Sequence, residues 1–191
     1  MKALAVFVAI LLNLSWPLAP QSRWEQADLA IRRLAPSAFP ELPPGIRSAL
    51  EARRCTIPQP GEDELAPAAR NHSQNVISGR FHQTEALDWA VLCSRERAST
   101  ILVFWDGEAT RVSRFADWPD QQFLQMSGSD RIGYSRLLAP ATPARIRMYL
   151  ERDGVRSPRV NQTGIEDMFL GKASQVWYWD RGRWVHLTGA D

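Results

Sequence analysis

The chain has 191 residues, 45% of them hydrophobic, and its 23 basic side chains nearly cancel its 21 acidic ones. A net charge of +2 supplies no global field for nucleic acid or an anionic lipid surface, so both are set aside as partners. With a leader removed, the remaining length suits one domain with a substantial core and is short for two.

The opening stretch "MKALAVFVAILLNLSWPLAPQS" carries Lys2, an apolar run from Ala3 to Leu14 and then a polar, proline-containing segment. That is the order of a secretory signal peptide, and the run is too short to cross a bilayer of ~30 Å. The expectation is a leader over 1–22 and an exported domain over 23–191, periplasmic or extracellular. No cysteine follows the run to carry a lipid, and no later segment reads as membrane-spanning. Lys2 and Lys172 are the only lysines, and the arginines are scattered without a patch.

In "WEQADLAIRRL", Ala27, Ile31 and Leu34 recur at helical spacing. "APSAFPELPPG" breaks the chain with prolines, and "IRSALEARR" resumes the helical period through Ile46 and Leu50. Two short helices are therefore expected within an N-terminal part, 23–56. Cys55 follows the second of them. It and Cys93 are the only cysteines, and in an exported chain they most simply form one disulfide. Residues 57–74, rich in Pro, Ala and charge, read as a surface loop.

From residue 75 the hydrophobic period becomes two. "NVISGRF", "DWAVLCS" and "STILVFW" read as strands, and Asp106-Gly107 after the last of them reads as a two-residue hairpin turn. "STILVFW" is apolar on both faces and so belongs in the middle of a sheet, covered on each side. "RIRMYLE" alternates, with Ile146, Met148 and Leu150 on one face, and is expected to be a strand with one wet face. "GIEDMFLGKAS" suggests one helical turn with Glu166 and Asp167 at its start. "SQVWYWDRGRWVHLT" reads as a tight aromatic hairpin. The sum is an α+β fold, mainly an antiparallel β-sheet of about seven strands with two short N-terminal helices, its β-rich part over 75–191.

Within "GRFHQTEALDWAVLC", Gly79 and Phe81 end one strand, and Asp88 opens another that runs through Ala90, Val91 and Leu92. This stretch resembles the FG-GAP-type unit of integrin-like secreted proteins, in which a Gly-x-Phe strand end enters a calcium loop. Only about twenty residues are covered, the unit occurs once, and His82, Gln83, Thr84 and Glu85 stand where that family places several aspartates. Two carboxylates, Glu85 and Asp88, fall short of a calcium shell of six to eight oxygens. The loop is accordingly expected to be a strand-loop-strand corner, with Asp88 bonded to backbone amides across the turn and no metal.

Catalytic constellations are sparse. No serine stands in a Gly-x-Ser-x-Gly elbow, and no His-x-x-x-His, Cys-x-x-Cys or phosphate-loop pattern occurs, so no cofactor is expected. Tryptophan is the one enrichment. Trp177 and Trp179 share a face, Trp184 lies across the hairpin, and Arg181 and Arg183 flank Gly182 at its tip. Aromatics beside arginines mark binding surfaces, while packing in a core is the alternative. The expectation is a non-catalytic binding or inhibitor-like module for a protein or carbohydrate, using 177–184 first and His82, Glu85 and Asp88 second. A secreted hydrolase built on His82 with Glu85 or Asp88 is the enzymatic alternative, and a structural envelope protein is the third.

Overall fold

The computed structural model describes residues 22–82, 85–127, 130–156 and 159–190; the expected leader lies outside them except for Ser22. Helix α1 (Arg23–Leu29) starts at Ser22, whose hydroxyl accepts from the Glu25 N–H, and strand β1 (Arg33–Leu34) follows. Helix α2 (Pro44–Ala52) begins on a proline pre-set for helical φ and buries Ile46 and Leu50. Strand β2 (Ile57–Pro58) pairs with β1, so residues 57–74 begin inside a small sheet and not in a loop.

Strands β3 (Val76–Gly79), β4 (Asp88–Arg95), β5 (Ala98–Phe104) and β6 (Val112–Pro119) form an antiparallel meander in sequential order. A two-stranded pair, β7 (Leu124–Met126) and β8 (Ile132–Tyr134), leads to β9 (Arg136–Ala141). Helix α3 (Pro143–Arg152) then connects β9 to β10 (Gly164–Phe169), and β11 (Ala173–Asp180) and β12 (Arg183–Thr188) complete a second four-stranded meander. The α+β class holds: among the described residues there are twelve strands in four sheets, where about seven strands were expected, and α3 is a third α-helix.

Alternation of side chains across β4 and β5 builds two cores from one hairpin. Val91, Cys93, Leu102 and Phe104 face α2, while Ala90, Leu92, Ile101 and Val103 face the second sheet. As its two apolar faces require, β5 lies inside the sheet and is covered on both sides. The outer face of the second sheet carries Val176, Tyr178 and Leu187 against Ile146, Tyr149 and Leu150 of α3. Four layers result: α2, sheet, sheet, α3. Each buried branched or aromatic side chain contributes about 1.5–3 kcal/mol. The Cys55–Cys93 disulfide ties the exit of α2 to β4.

Three local expectations are corrected. Residues 145–151 are helical: Thr142 caps α3 by accepting from the Arg145 N–H, Pro143 starts it, and the buried set is Ile146, Tyr149 and Leu150, while Met148 is 52% exposed. Residues 164–169 are the strand β10, because Glu166 and Asp167, both buried, each have an arginine partner, Arg145 partly exposed and Arg136 fully buried, that makes a strand tolerable there. The turn at Asp106-Gly107 is not a two-residue hairpin: the ladder stops at Phe104↔Val112, and the loop closes through the Trp105 N–H donating to the Arg111 carbonyl. The hairpin at Arg181-Gly182 is tight as expected, both residues taking positive φ between Asp180 and Arg183.

Candidate functional site

Gly79 ends β3 under the ring of Phe81: a Cβ there would lie 2.8 Å from Phe81 Cε1, so the chain turns sharply where no side chain stands. The turn is held by Asp88, fully buried at the start of β4. Its Oδ2 accepts the N–H groups of Phe81 at 2.8 Å and His82 at 3.3 Å, and its Oδ1 accepts the N–H of Asp106 at 2.8 Å. Asp88 thus bonds to backbone amides across the corner, as expected, and also reaches the β5–β6 loop.

His82 is drawn into the same cluster. Its Nδ1 lies 2.9 Å from Asp88 Oδ2 and its Nε2 3.5 Å from Asp106 Oδ1, while Arg111 pairs with Asp106 Oδ2. The imidazole meets the Trp105 ring edge-on at 4.8 Å, and Trp105 in turn touches Trp179 and Trp184. Glu85 is exposed and outside the cluster; Gln83 and Thr84 lie outside the described residues. Asp106 carries no sequence signal beyond its turn, and only the tertiary fold brings it to His82.

Trp177, Trp179 and Trp184 are each half-buried against the core between the sheets. Trp177 and Trp184 pack on Phe115, and Trp184 Nε1–H donates to Ser113 Oγ at 3.0 Å, which joins β12 to β6. The hairpin tip projects beyond them: Arg181 and Arg183 are exposed, and the Arg181 side chain is 91% accessible.

The tip and the corner meet. His82, Arg159 and Gln162 on one side and Tyr178, Trp179, Asp180 and Arg181 on the other line a single cavity of about 340 Å³. Gln162 is fixed by donating to the Trp179 carbonyl at 2.6 Å. Burial and the neighbouring Asp180 carboxylate push the Tyr178 phenol up, with Arg183 opposing, so at neutral pH this group is a hydroxyl and can donate. A second hollow, about 320 Å³, lies between α1, residues 59–64 and β8; among its charged side chains Asp63 pairs with Arg131, and Glu64 accepts a hydrogen bond from Gln125.

Carboxylates elsewhere are engaged structurally. Adjacent on β10, Glu166 and Asp167 point to opposite faces, so they do not form an acid pair. Glu166 accepts from Arg145 at 2.7 Å and Ser174 at 2.8 Å. Asp167 takes the fully buried Arg136 in two parallel bonds of 2.9 and 2.8 Å. Burial opposes the charge of Arg136, but the hydrogen bonds it donates to Asp167 and the charge of that carboxylate outweigh it and hold the guanidinium above its ordinary range. Asp120, also fully buried, receives Arg33 at 2.7 Å, Ser94 at 2.6 Å and Ser99. Comparison with protein-family models, with curated proteins and with solved structures yields no match to this chain.

Proposed function

We propose that the protein is an exported binding module whose ligand seats in the cleft between the His82 corner and the tip of the β11–β12 hairpin. The observation that carries this reading is that the two segments, remote in sequence, line one polar cavity. Arg159 and Arg181 offer positive groups, Asp180 a carboxylate, Tyr178 a hydroxyl and Trp179 an aromatic neighbour, with the His82 ring as part of the wall. That set suits a small acidic saccharide, whose carboxylate would pair with arginine and whose hydroxyls need donors and acceptors. The Cys55–Cys93 disulfide is compatible with export, and among the described residues no helix is long and apolar enough to cross a membrane.

The test is a titration of intrinsic tryptophan fluorescence with galacturonate, N-acetylmuramate and glucose. The acidic sugars are expected to bind in preference to glucose, and Arg159→Ala and Arg181→Ala to abolish that preference. Equal response to glucose, or unchanged binding in both variants, would remove the cleft from the account.

One observation favours a second reading, hydrolysis: the 2.9 Å contact from His82 Nδ1 to the buried Asp88 orients the imidazole as a general base is oriented. Turnover of a chromogenic ester or glycoside that disappears in His82→Gln would support it.

A further inference from the structure

We infer that His82 and Asp106 form a binding site for a divalent transition-metal ion of the zinc class, with Asp88 as the group that orients the imidazole. A carboxylate can only accept, so the 2.9 Å contact between Asp88 Oδ2 and His82 Nδ1 places the ring proton on Nδ1. The Nε2 lone pair then faces Asp106 Oδ1. Carboxylate-oriented imidazoles of this kind are the usual partners of a bound metal, because the outer carboxylate fixes the tautomer and raises the basicity of the ligating nitrogen.

The separation of the two ligand atoms decides between a hydrogen bond and a shared ion. Nε2 and Asp106 Oδ1 are 3.5 Å apart, well beyond the ~2.9 Å of an ordinary N–H···O bond, and in the neutral ring with its proton on Nδ1 the Nε2 lone pair is available to a metal. Two ligands each about 2.0–2.1 Å from one tetrahedral zinc stand about 3.4 Å apart. One ligand atom from each of His82, Asp88 and Asp106 lies within 4.8 Å of the others. Arg111, half of whose side chain is in solvent, pairs with the other oxygen of Asp106, Oδ2. The His82 ring also lines the cleft, and with two protein ligands the ion would take water at its remaining positions. One imidazole with carboxylate and water oxygens selects zinc, cobalt or nickel over calcium, which requires a cage of oxygens. Asp106 comes from the β5–β6 loop, outside the strand-loop-strand stretch, and the site does not depend on what the cleft binds.

The experiment uses the oxidised protein freed of metal by a chelator, then titrated with Co²⁺ by visible absorption and by quenching of tryptophan emission, Trp105 being in contact with the His82 ring. One Co²⁺ per chain, displaced by Zn²⁺, is expected. His82→Ala and Asp106→Asn should each weaken binding more than about tenfold, while His186→Ala leaves it unchanged. Asp106→Asn keeps the fold, since asparagine tolerates the φ of 53° found there and the backbone N–H that Asp88 holds remains. Absence of saturable Co²⁺ binding, or equal affinity in Asp106→Asn, overturns the site whether or not a saccharide binds.

Discussion

The two ends of the β4–β5 hairpin both gather charge, and they do so in opposite ways. At the turn end, Ser94 and Ser99 donate to Asp120, which also takes Arg33, and nearby Arg136 grips Asp167 while its guanidinium sits 4.4 Å over the Phe123 ring. Asp120, Arg136 and Asp167 are buried there, and each meets an opposite charge away from water. At the open end, where β4 begins and β5 finishes, Asp88, His82 and Asp106 meet beside a cleft, and the imidazole presents one nitrogen to a carboxylate too distant for an ordinary hydrogen bond. Arginine, planar and always charged, seals; histidine leaves a lone pair that another species can use. Charge removal should therefore cost folding at the sealed end and binding at the open one.

The largest effect is expected from Asp167→Ala, which strands a buried guanidinium and should cost about 3–5 kcal/mol in urea denaturation. The double variant Arg136→Met, Asp167→Leu should recover most of that loss; failure to recover any would show that the pair does more than neutralise itself. Close behind, replacing Cys55 and Cys93 with alanine opens a loop with a sequence separation of 38 and should cost about 3–4 kcal/mol. Trp184→Phe removes the indole donor to Ser113 and should cost about 1 kcal/mol, which a matching loss in Ser113→Ala would confirm. Asp106→Asn, at the open end, should cost less than about 1 kcal/mol because Arg111 is half in water.

A pH experiment sharpens the same contrast. Burial, opposed by the Arg136 charge and reinforced by Asp120, pushes the Tyr134 phenol well above its ordinary range. A group raised on folding stabilises fully below its unfolded pKa, about 10 for tyrosine, and loses that contribution as pH climbs. Alkaline unfolding should thus begin above about pH 10, and Tyr134→Phe should move its midpoint upward. An unmoved midpoint would mean that another group governs the alkaline limit.

What the sequence discloses follows from the range of the interactions. The doubly apolar run in β5, the two early helices, the disulfide and the Arg181-Gly182 turn rest on local pattern or on a forced choice of partner and are present, except that the first helix stops at Leu29 and Leu34, expected on its apolar face, lies in strand β1. The stretch 145–151 fits periods of two and of about 3.6, and the Thr142 cap with Pro143 resolves it as helix. Asp167 is separated from Arg136 by 31 residues and Asp88 from Asp106 by 18, so neither pairing leaves a local trace. Of the site, His82, Asp88 and the hairpin tip are legible as chemistry-bearing residues; the approach of Asp106 to His82, and the cavity that brings Arg159 beside His82 and the tip, depend on how the sheets stack.

The most direct test of the account is a nuclear magnetic resonance titration of the oxidised protein with galacturonate, following the His82 ring protons and the Trp179 indole N–H together. The account predicts that both signals shift along one binding curve and that Arg181→Ala removes both responses. Shifts confined to the hollow beside α1 and β8, or a Trp179 response without His82, would contradict a single cleft built from the two segments.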